Sequence, residues 1–144
     1  MTPADPLNSC FVCGDANPGG MRLVFDRDVA RRRIVGTFSL GPAYQGGAGF
    51  LHGGIIATLL DEVMSKVSRL SDVRTVTAEL RVEYLKPIRV GEELLVEGFS
   101  TRREGRQLYH EGEIRNRAGE LLARGQGRFV VVDPDWAAKQ RAGS

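Results

Sequence analysis

One stretch of the chain has the periodicity of a helix that faces a hydrophobic core. Between residues 49 and 69, apolar side chains recur every three or four positions and fall on one helical face at 100° per residue. The apolar positions are Ile55, Ile56, Leu59, Leu60, Val63, Met64 and Val67. We therefore predict that a helix lies here and buries this face.

The pattern changes to a period of two after this helix. Apolar and polar residues alternate from Val76 to Tyr84, which is typical of a strand with one buried face. Further strands are predicted at residues 21–26, 33–39, 93–102, 107–115 and 121–132, with hairpin turns at Gly105 and Gly119. One helix and a series of antiparallel strands predict an α+β fold, in which a long antiparallel sheet wraps around one central helix.

Length and composition limit the organisation of the chain. Its 144 residues fit one domain, which we place at residues 21–133, with a lead-in at residues 1–20 and a tail at residues 134–144. A net charge of +2 does not favour a nucleic-acid partner. The sequence has no apolar run of membrane-spanning length and no secretory signal pattern at its start. We therefore expect a cytoplasmic location and no membrane or nucleic-acid partner.

The lead-in contains the pair Cys10-x-x-Cys13. Such a pair is found in half of a zinc site or in a redox centre. The chain has no second pair, and its only histidines are His52 and His110. An intersubunit metal site and a disulfide both remain open at this stage.

The predicted helix carries two adjacent acids with different neighbours. Asp61 lies on a strip of small side chains, whereas Glu62 lies on a charged strip with Lys66. At the helix start, Gly53 and Gly54 offer backbone N–H groups that can stabilise a developing oxyanion. The residues alone also fit a tight turn before a buried helix, with Asp61 as a polar residue at an interface.

The sequence resembles the hotdog-fold acyl-CoA thioesterases, in the branch of the PaaI-like and THEM4-like proteins. The resemblance extends from Cys10 to Val132, and its most specific feature is the His-Gly-Gly at His52 with Asp61 nine positions later. The segments that carry it are residues 44–47, 49–54, 57–61, 75–77 and 84–91.

This resemblance implies hydrolysis of an acyl-CoA thioester to a free carboxylic acid and coenzyme A. It makes Asp61 the general base or the nucleophile, and the Gly53/Gly54 helix start the oxyanion hole. The other roles that it implies are orientation of the helix start by His52, positioning of the acid or the water by Thr77, and a contact to the thioester or the water by Gln45.

The resemblance also implies a homo-oligomer, either a dimer or a dimer of dimers, with acyl-CoA as the partner, no separate cofactor and no metal in the catalytic site. Lys86 and Arg106 are the first candidates for binding the phosphates of coenzyme A, followed by Arg89 and Arg103, and Phe50 is a candidate for lining the acyl pocket. Two other functions remain open: an acyl-CoA-binding module without activity, and a hotdog dehydratase or hydratase.

Overall fold

The structure, a computed structural model, describes residues 8–143. Six antiparallel strands form one sheet in the order β1-β2-β4-β5-β6-β3, and α1 packs across it. The predicted α+β arrangement of a sheet around one central helix is confirmed. The elements are β1 (Asp26–Asp28), β2 (Arg33–Ser39), α1 (Gly53–Val67), β3 (Arg74–Tyr84), β4 (Glu93–Glu104), β5 (Gln107–Asn116), β6 (Leu121–Val132) and a short α2 (Trp136–Ala142).

The apolar face of α1 forms the centre of the core. Six of its seven predicted positions are buried and Ile55 is partly buried, which confirms the helical periodicity. The helix begins after His52, which has an extended backbone, and is followed by a short 3-10 turn at Ser68–Ser71. None of the helices within residues 8–143 has the length and apolar character needed to cross a membrane.

A row of glycines allows α1 to lie close to the sheet. Gly98, Gly112 and Gly125 are direct neighbours across β4, β5 and β6. A Cβ atom at Gly98 would lie 2.9 Å from the carbonyl oxygen of Val63, and one at Gly112 would lie 3.1 Å from Leu60 Cδ2. The helix backbone therefore occupies space that side chains would fill at these positions.

The predicted strand at residues 21–26 is wrong in its extent, because β1 contains only Asp26–Asp28. The preceding residues pair with the lead-in instead of with β2. Met21 N–H donates to the Phe11 carbonyl at 2.7 Å, and Leu23 N–H donates to the Val12 carbonyl at 2.8 Å. Val12 is buried, so this pairing attaches the lead-in to the core.

β3 lies at one edge of the sheet and pairs only with β6 within the described part of the chain. Its register with β6 shifts between Thr77 and Glu79. The predicted apolar face is partly buried at Val76, Leu80 and Val82, whereas Ala78 and Tyr84 are exposed. The shift interrupts the strict alternation of the strand and occurs beside the position where Thr77 contacts α1.

Candidate active site

The Asp61 carboxylate on α1 accepts a hydrogen bond from a threonine on β3. Thr77 Oγ1 donates to Asp61 Oδ1 at 2.8 Å, across a sequence separation of 16 residues. Asp61 is partly buried, so its carboxylate remains accessible to water or a ligand. The pair is therefore a fixed carboxylate with one donor, which is what a general base or a nucleophile requires.

Glu62 has different surroundings from Asp61. Its Oε1 lies 3.6 Å from Lys66 Nζ, which confirms the ion pair expected on the charged strip. The Cys10 Sγ atom lies 3.9 Å from each carboxylate oxygen of Glu62. Burial, followed by the charge of Glu62, raises the pKa of the Cys13 thiol to about 11, so Cys13 is a neutral thiol near pH 7.

His52 caps the start of α1 with its side chain. The Gly54 N–H donates to His52 Nδ1 at 2.8 Å. Because Nδ1 accepts, a neutral His52 carries its proton on Nε2. This contact occupies the Gly54 donor, whereas the Gly53 N–H has no hydrogen-bond partner among residues 8–143.

Glycines also surround the imidazole of His52. A Cβ atom at Gly54 would lie 3.1 Å from His52 Nδ1, and one at Gly46 would lie 3.1 Å from His52 Cα. In the adjoining loop, Gln45 is exposed and its Oε1 accepts from the Gly49 N–H at 3.3 Å. The side-chain oxygen of Gln45 therefore stabilises the loop that precedes the helix.

Tyr84 is a neighbour of the helix start that the sequence reasoning missed. Its hydroxyl group donates to the Gly53 carbonyl at 2.8 Å, and the residue is 54% exposed. Phe50 is also exposed and lies in a β-bridge with Arg89. No sequence signal singles out Tyr84, because in the strand pattern it is the last residue of the apolar face.

The two parts of the predicted site do not meet within one chain. Asp61 follows His52 by nine residues, which is about 13 Å along a helix axis. The structure therefore places Asp61 with Thr77, and His52 with Gly53 and Gly54, but leaves more than two helical turns between the two groups.

The basic candidates for coenzyme A binding also lie in two separate places. Lys86 forms an ion pair with Glu120, near the end of β3 that adjoins the helix start. Arg106 lies at the β4–β5 turn, where Nη2 is 3.6 Å from Asp133 Oδ1, and Arg103 Nε donates to the Gly105 carbonyl at 3.0 Å in the same turn. The backbone of Lys86 bonds to Leu122 and that of Arg106 bonds to Val131, positions about 30 Å apart along β6.

The described residues also form two cavities near the opposite end of α1. One has a volume of about 500 Å³ and is lined in part by Arg27, Arg69 and Arg74. The other has a volume of about 280 Å³, is lined in part by Ser65 and Val76, and therefore lies beside the strip that carries Asp61. The arginines of the first cavity are far apart in the sequence, so no spacing could have identified the group.

Comparison with known proteins assigns the family. The family model described as "Thioesterase superfamily" matches residues 48–123, which is more than half of the chain. Acyl-coenzyme A thioesterase THEM4 of Rattus norvegicus is 34% identical over 107 residues, covering 74% of this chain and 46% of THEM4. The chain spans about half the length of the curated relatives it matches, between 42% and 52%.

Solved structures agree with the observed fold. A crystal structure described as a thioesterase superfamily protein is 30% identical, has a TM-score of 0.79 and covers 85% of this chain and 60% of its own. A Streptococcus pneumoniae thioesterase with coenzyme A has 21% identity and a TM-score of 0.67, covering 69% of this chain and 81% of its own. The E. coli PaaI protein, with 18% identity and a TM-score of 0.67, covers 71% of this chain and 74% of its own.

These matches confirm the predicted resemblance and the predicted hotdog fold. A chain with a six-stranded sheet and a central helix that begins with two glycines therefore matches one known group of proteins. The chain belongs to the thioesterase superfamily, with curated relatives of the THEM4 kind.

Proposed function

We propose that this chain hydrolyses acyl-CoA thioesters to a free carboxylic acid and coenzyme A. The observation that carries the proposal is the Asp61 carboxylate held by the Thr77 hydroxyl at 2.8 Å. The curated relatives are described as acyl-coenzyme A thioesterases. The pneumococcal neighbour is described in a structure with coenzyme A. Two further structures contain alanine variants of that protein, one at an aspartate and one at a threonine sixteen positions after that aspartate. Asp61 and Thr77 have the same separation of 16 residues.

In the proposed reaction, Asp61 acts on the thioester carbonyl by one of two routes. As a general base it takes a proton from water, which attacks the carbonyl carbon. As a nucleophile it forms an anhydride, which water then hydrolyses. In both routes the C–S bond breaks, water gives its hydroxyl group to the acyl carbon, and the remaining proton of that water goes to the sulfur of coenzyme A, so that the products are the free acid and the thiol.

The start of α1 supplies the oxyanion hole in this proposal. We assign the first role to the Gly53 N–H, because the Gly54 N–H already donates to His52 Nδ1 at 2.8 Å. Both groups lie at the positive end of the helix dipole, where a developing negative charge is stabilised. Gln45 lies in the loop that precedes this helix start.

The complete site then requires a second copy of the chain. Gly53 and Asp61 are about 12 Å apart along the helix axis in one chain, too far to contact the same carbonyl group. Within residues 8–143, the outer edge of the 11-residue strand β3 has no partner strand, and Tyr84 and Leu85 at its end are about half exposed. A dimer or a dimer of dimers would cover this edge and place Asp61 of one chain near the Gly53/Gly54 end of the next.

Coenzyme A contacts follow from this arrangement. Lys86 and Arg89 lie near the helix start, and Arg103 and Arg106 lie at the β4–β5 turn. Because the two pairs are far apart in one chain, we propose that one pair binds the phosphates of a given substrate molecule. Phe50, which is 41% exposed beside Arg89, is then available to the pantetheine or acyl part.

A panel of acyl-CoA substrates with short, long and aromatic acyl groups tests the proposal. Hydrolysis releases one thiol for each molecule of acid, and a chromogenic thiol reagent detects it. We expect turnover with at least one acyl class. Binding of acyl-CoA without thiol release would instead favour the non-catalytic binding module, and formation or loss of a double bond would favour the dehydratase or hydratase.

A further inference from the structure

The N-terminal cysteine pair forms a compact turn. The Gly14 N–H donates to the Cys10 carbonyl at 2.9 Å, and the Val12 N–H donates to Cys10 Sγ at 3.4 Å. A Cβ atom at Gly14 would lie 2.4 Å from the Cys10 nitrogen, so the turn requires glycine there. This contact fixes the position of the Cys10 sulfur atom within the turn.

This turn is attached firmly to the domain and faces α1. Val12 is buried in the core, and the segment pairs with Met21 and Leu23. One ligand atom from each of Cys10, Cys13 and Glu62 lies within 4.8 Å of the other two, and all three residues are partly buried. Three groups that bind divalent metals therefore converge from two distant parts of the chain.

The separations fit a metal ion with little movement. Tetrahedral zinc with Zn–S bonds of about 2.3 Å and a Zn–O bond of about 2.1 Å places its ligand atoms roughly 3.6–3.8 Å apart. The Cys10 Sγ atom lies 3.9 Å from each oxygen of Glu62. A shift of a few tenths of an ångström would complete the coordination of these two residues.

We propose that Cys10, Cys13 and Glu62 bind one zinc ion, which fastens the N-terminal turn to α1. Two thiolates are soft ligands that favour zinc over magnesium or calcium, and the carboxylate supplies the third ligand. Zinc binding displaces the protons of both thiols, and the resulting two thiolates, one carboxylate and Zn²⁺ sum to a charge of −1. Lys66, whose Nζ lies 3.6 Å from Glu62 Oε1, balances it.

No further Cys, His, Asp or Glu joins these three among residues 8–143, and we assign the fourth ligand position to water. His52 caps the start of α1, and His110 is buried with its Nε2 atom 3.0 Å from Ser68 Oγ, so neither is placed to join the three residues. Asp61 is next to Glu62 in the sequence but lies on the other strip of the helix, in contact with Thr77. The proposed zinc site is therefore separate from the proposed hydrolytic site. The expectation that the catalytic site holds no metal is unchanged.

Metal titration of the reduced, metal-free full chain tests this site without any substrate. Zinc affinity is measured by competition with a chromogenic chelator, and Co²⁺ is used as a spectroscopic probe, because thiolate-to-cobalt charge transfer absorbs in the near ultraviolet. We expect one Zn²⁺ per chain and a charge-transfer band from thiolate ligands. We expect Cys13→Ser to lower the affinity at least a hundredfold and to weaken the band, because it removes one thiolate.

Glu62→Gln is the second variant, since it keeps the size of the side chain and does not depend on the turn remaining folded after loss of a cysteine. We expect it to lower zinc affinity at least tenfold, while Glu93→Gln, at an exposed position at the start of β4, leaves the affinity unchanged. Failure of the wild type to bind zinc, or equal affinity in the wild type and both site variants, would overturn the proposal. Neither result depends on thioester turnover, so the proposed function is tested separately.

Discussion

At the scale of single residues, the two adjacent acids of α1 show how helical periodicity separates chemistry. Asp61 and Glu62 are neighbours in the sequence, but a turn of about 100° between them places one beside Thr77 and the other beside Lys66 and Cys10. Only Asp61 combines an accessible carboxylate with a donor from the sheet. We therefore assign the reacting carboxylate to Asp61.

Thr77→Val tests the contact that holds this carboxylate. Valine keeps the branched shape and the strand preference of threonine but cannot donate to Asp61 Oδ1. We expect kcat to fall about ten- to a hundredfold, with a smaller change in KM. A misplaced carboxylate mainly slows the chemical step and has less effect on substrate binding. The measurement is steady-state thiol release.

Thr37→Val is the matched control for this substitution. Thr37 is also an exposed strand threonine, but it lies on β2, across β4, β5 and β6 from β3 in the sheet. We expect its kinetics to match the wild type. Equal losses in both variants would mean that removal of any strand hydroxyl impairs the protein, and that Thr77 has no specific role.

The sequence predicted some of these residues because their contacts follow chain spacing. The nine-residue step from His52 to Asp61 is set by one helix, and the resemblance supplied the partner Thr77. The bond from Gly54 to His52 Nδ1 depends on a side-chain rotamer, which no residue pattern reveals. The distance between Lys86 and Arg106 depends on strand register. The sequence alone therefore could not show whether both residues of one chain can bind the same coenzyme A molecule.

At the scale of elements, the position of α1 depends on the glycine row beneath it. The helix contacts β4, β5 and β6 through small positions that are direct neighbours in the sheet. The strand pattern predicted most of the sheet, since the observed bounds of β4, β5 and β6 lie within two residues of the expected ones. It could not predict that Met21 and Leu23 pair with the lead-in, because that pairing is not visible in local periodicity.

Alanine substitutions at Gly98 and Gly112 should lower the free energy of unfolding by different amounts. At Gly98 the new Cβ atom would lie 2.9 Å from the Val63 backbone oxygen, which can move only with the helix. At Gly112 it would lie 3.1 Å from Leu60 Cδ2, a flexible side-chain atom. We expect Gly98→Ala to lower the free energy of unfolding by about 1–3 kcal/mol, and Gly112→Ala by less.

Urea denaturation at neutral pH measures both values under the same conditions. Gly41→Ala is a suitable control, because nothing lies within 4 Å of a Cβ atom at that position. A loss at Gly112 as large as the loss at Gly98 would contradict the assignment of the backbone contact as the more costly one.

At the scale of the whole molecule, a buried histidine makes folding stability depend on pH. His110 is 2% exposed, and burial lowers its pKa from 6.5 to about 4. The native state therefore keeps His110 neutral, while the unfolded chain takes up a proton once the pH falls below about 6.5. Its stabilising effect is complete above that pH and is lost as the pH falls towards 4.

This linkage lowers the free energy of unfolding by about 3 kcal/mol between pH 6.5 and pH 4. His110→Gln removes the titrating group, so we expect a flatter pH dependence of the free energy of unfolding, whatever the cost of the substitution at pH 7. Denaturation midpoints measured at several pH values test this. An unchanged slope in the variant would show that other groups cause the acid sensitivity.

The proposed two-chain site predicts that two impaired variants complement one another. In a mixed dimer of Asp61→Asn and His52→Ala chains, one site combines an intact Asp61 with an intact His52. Random pairing should restore about one quarter of wild-type turnover, provided that each variant alone is nearly inactive. Co-expression of the two chains, followed by thiol-release assays, measures the recovery. Variants that assemble together but recover no activity would contradict a site shared between chains.

The most direct test of the central claim compares the wild type, Asp61→Asn and Glu93→Gln in the thiol-release assay on the preferred acyl-CoA, with binding and folding measured in parallel. Asparagine keeps the shape of Asp61 and can still accept from Thr77, but it is neither a base nor a nucleophile. We expect Asp61→Asn to remain folded, to bind acyl-CoA and to lose at least a hundredfold in turnover, while Glu93→Gln matches the wild type. Wild-type turnover in folded Asp61→Asn would contradict the assignment of Asp61 as the reacting carboxylate.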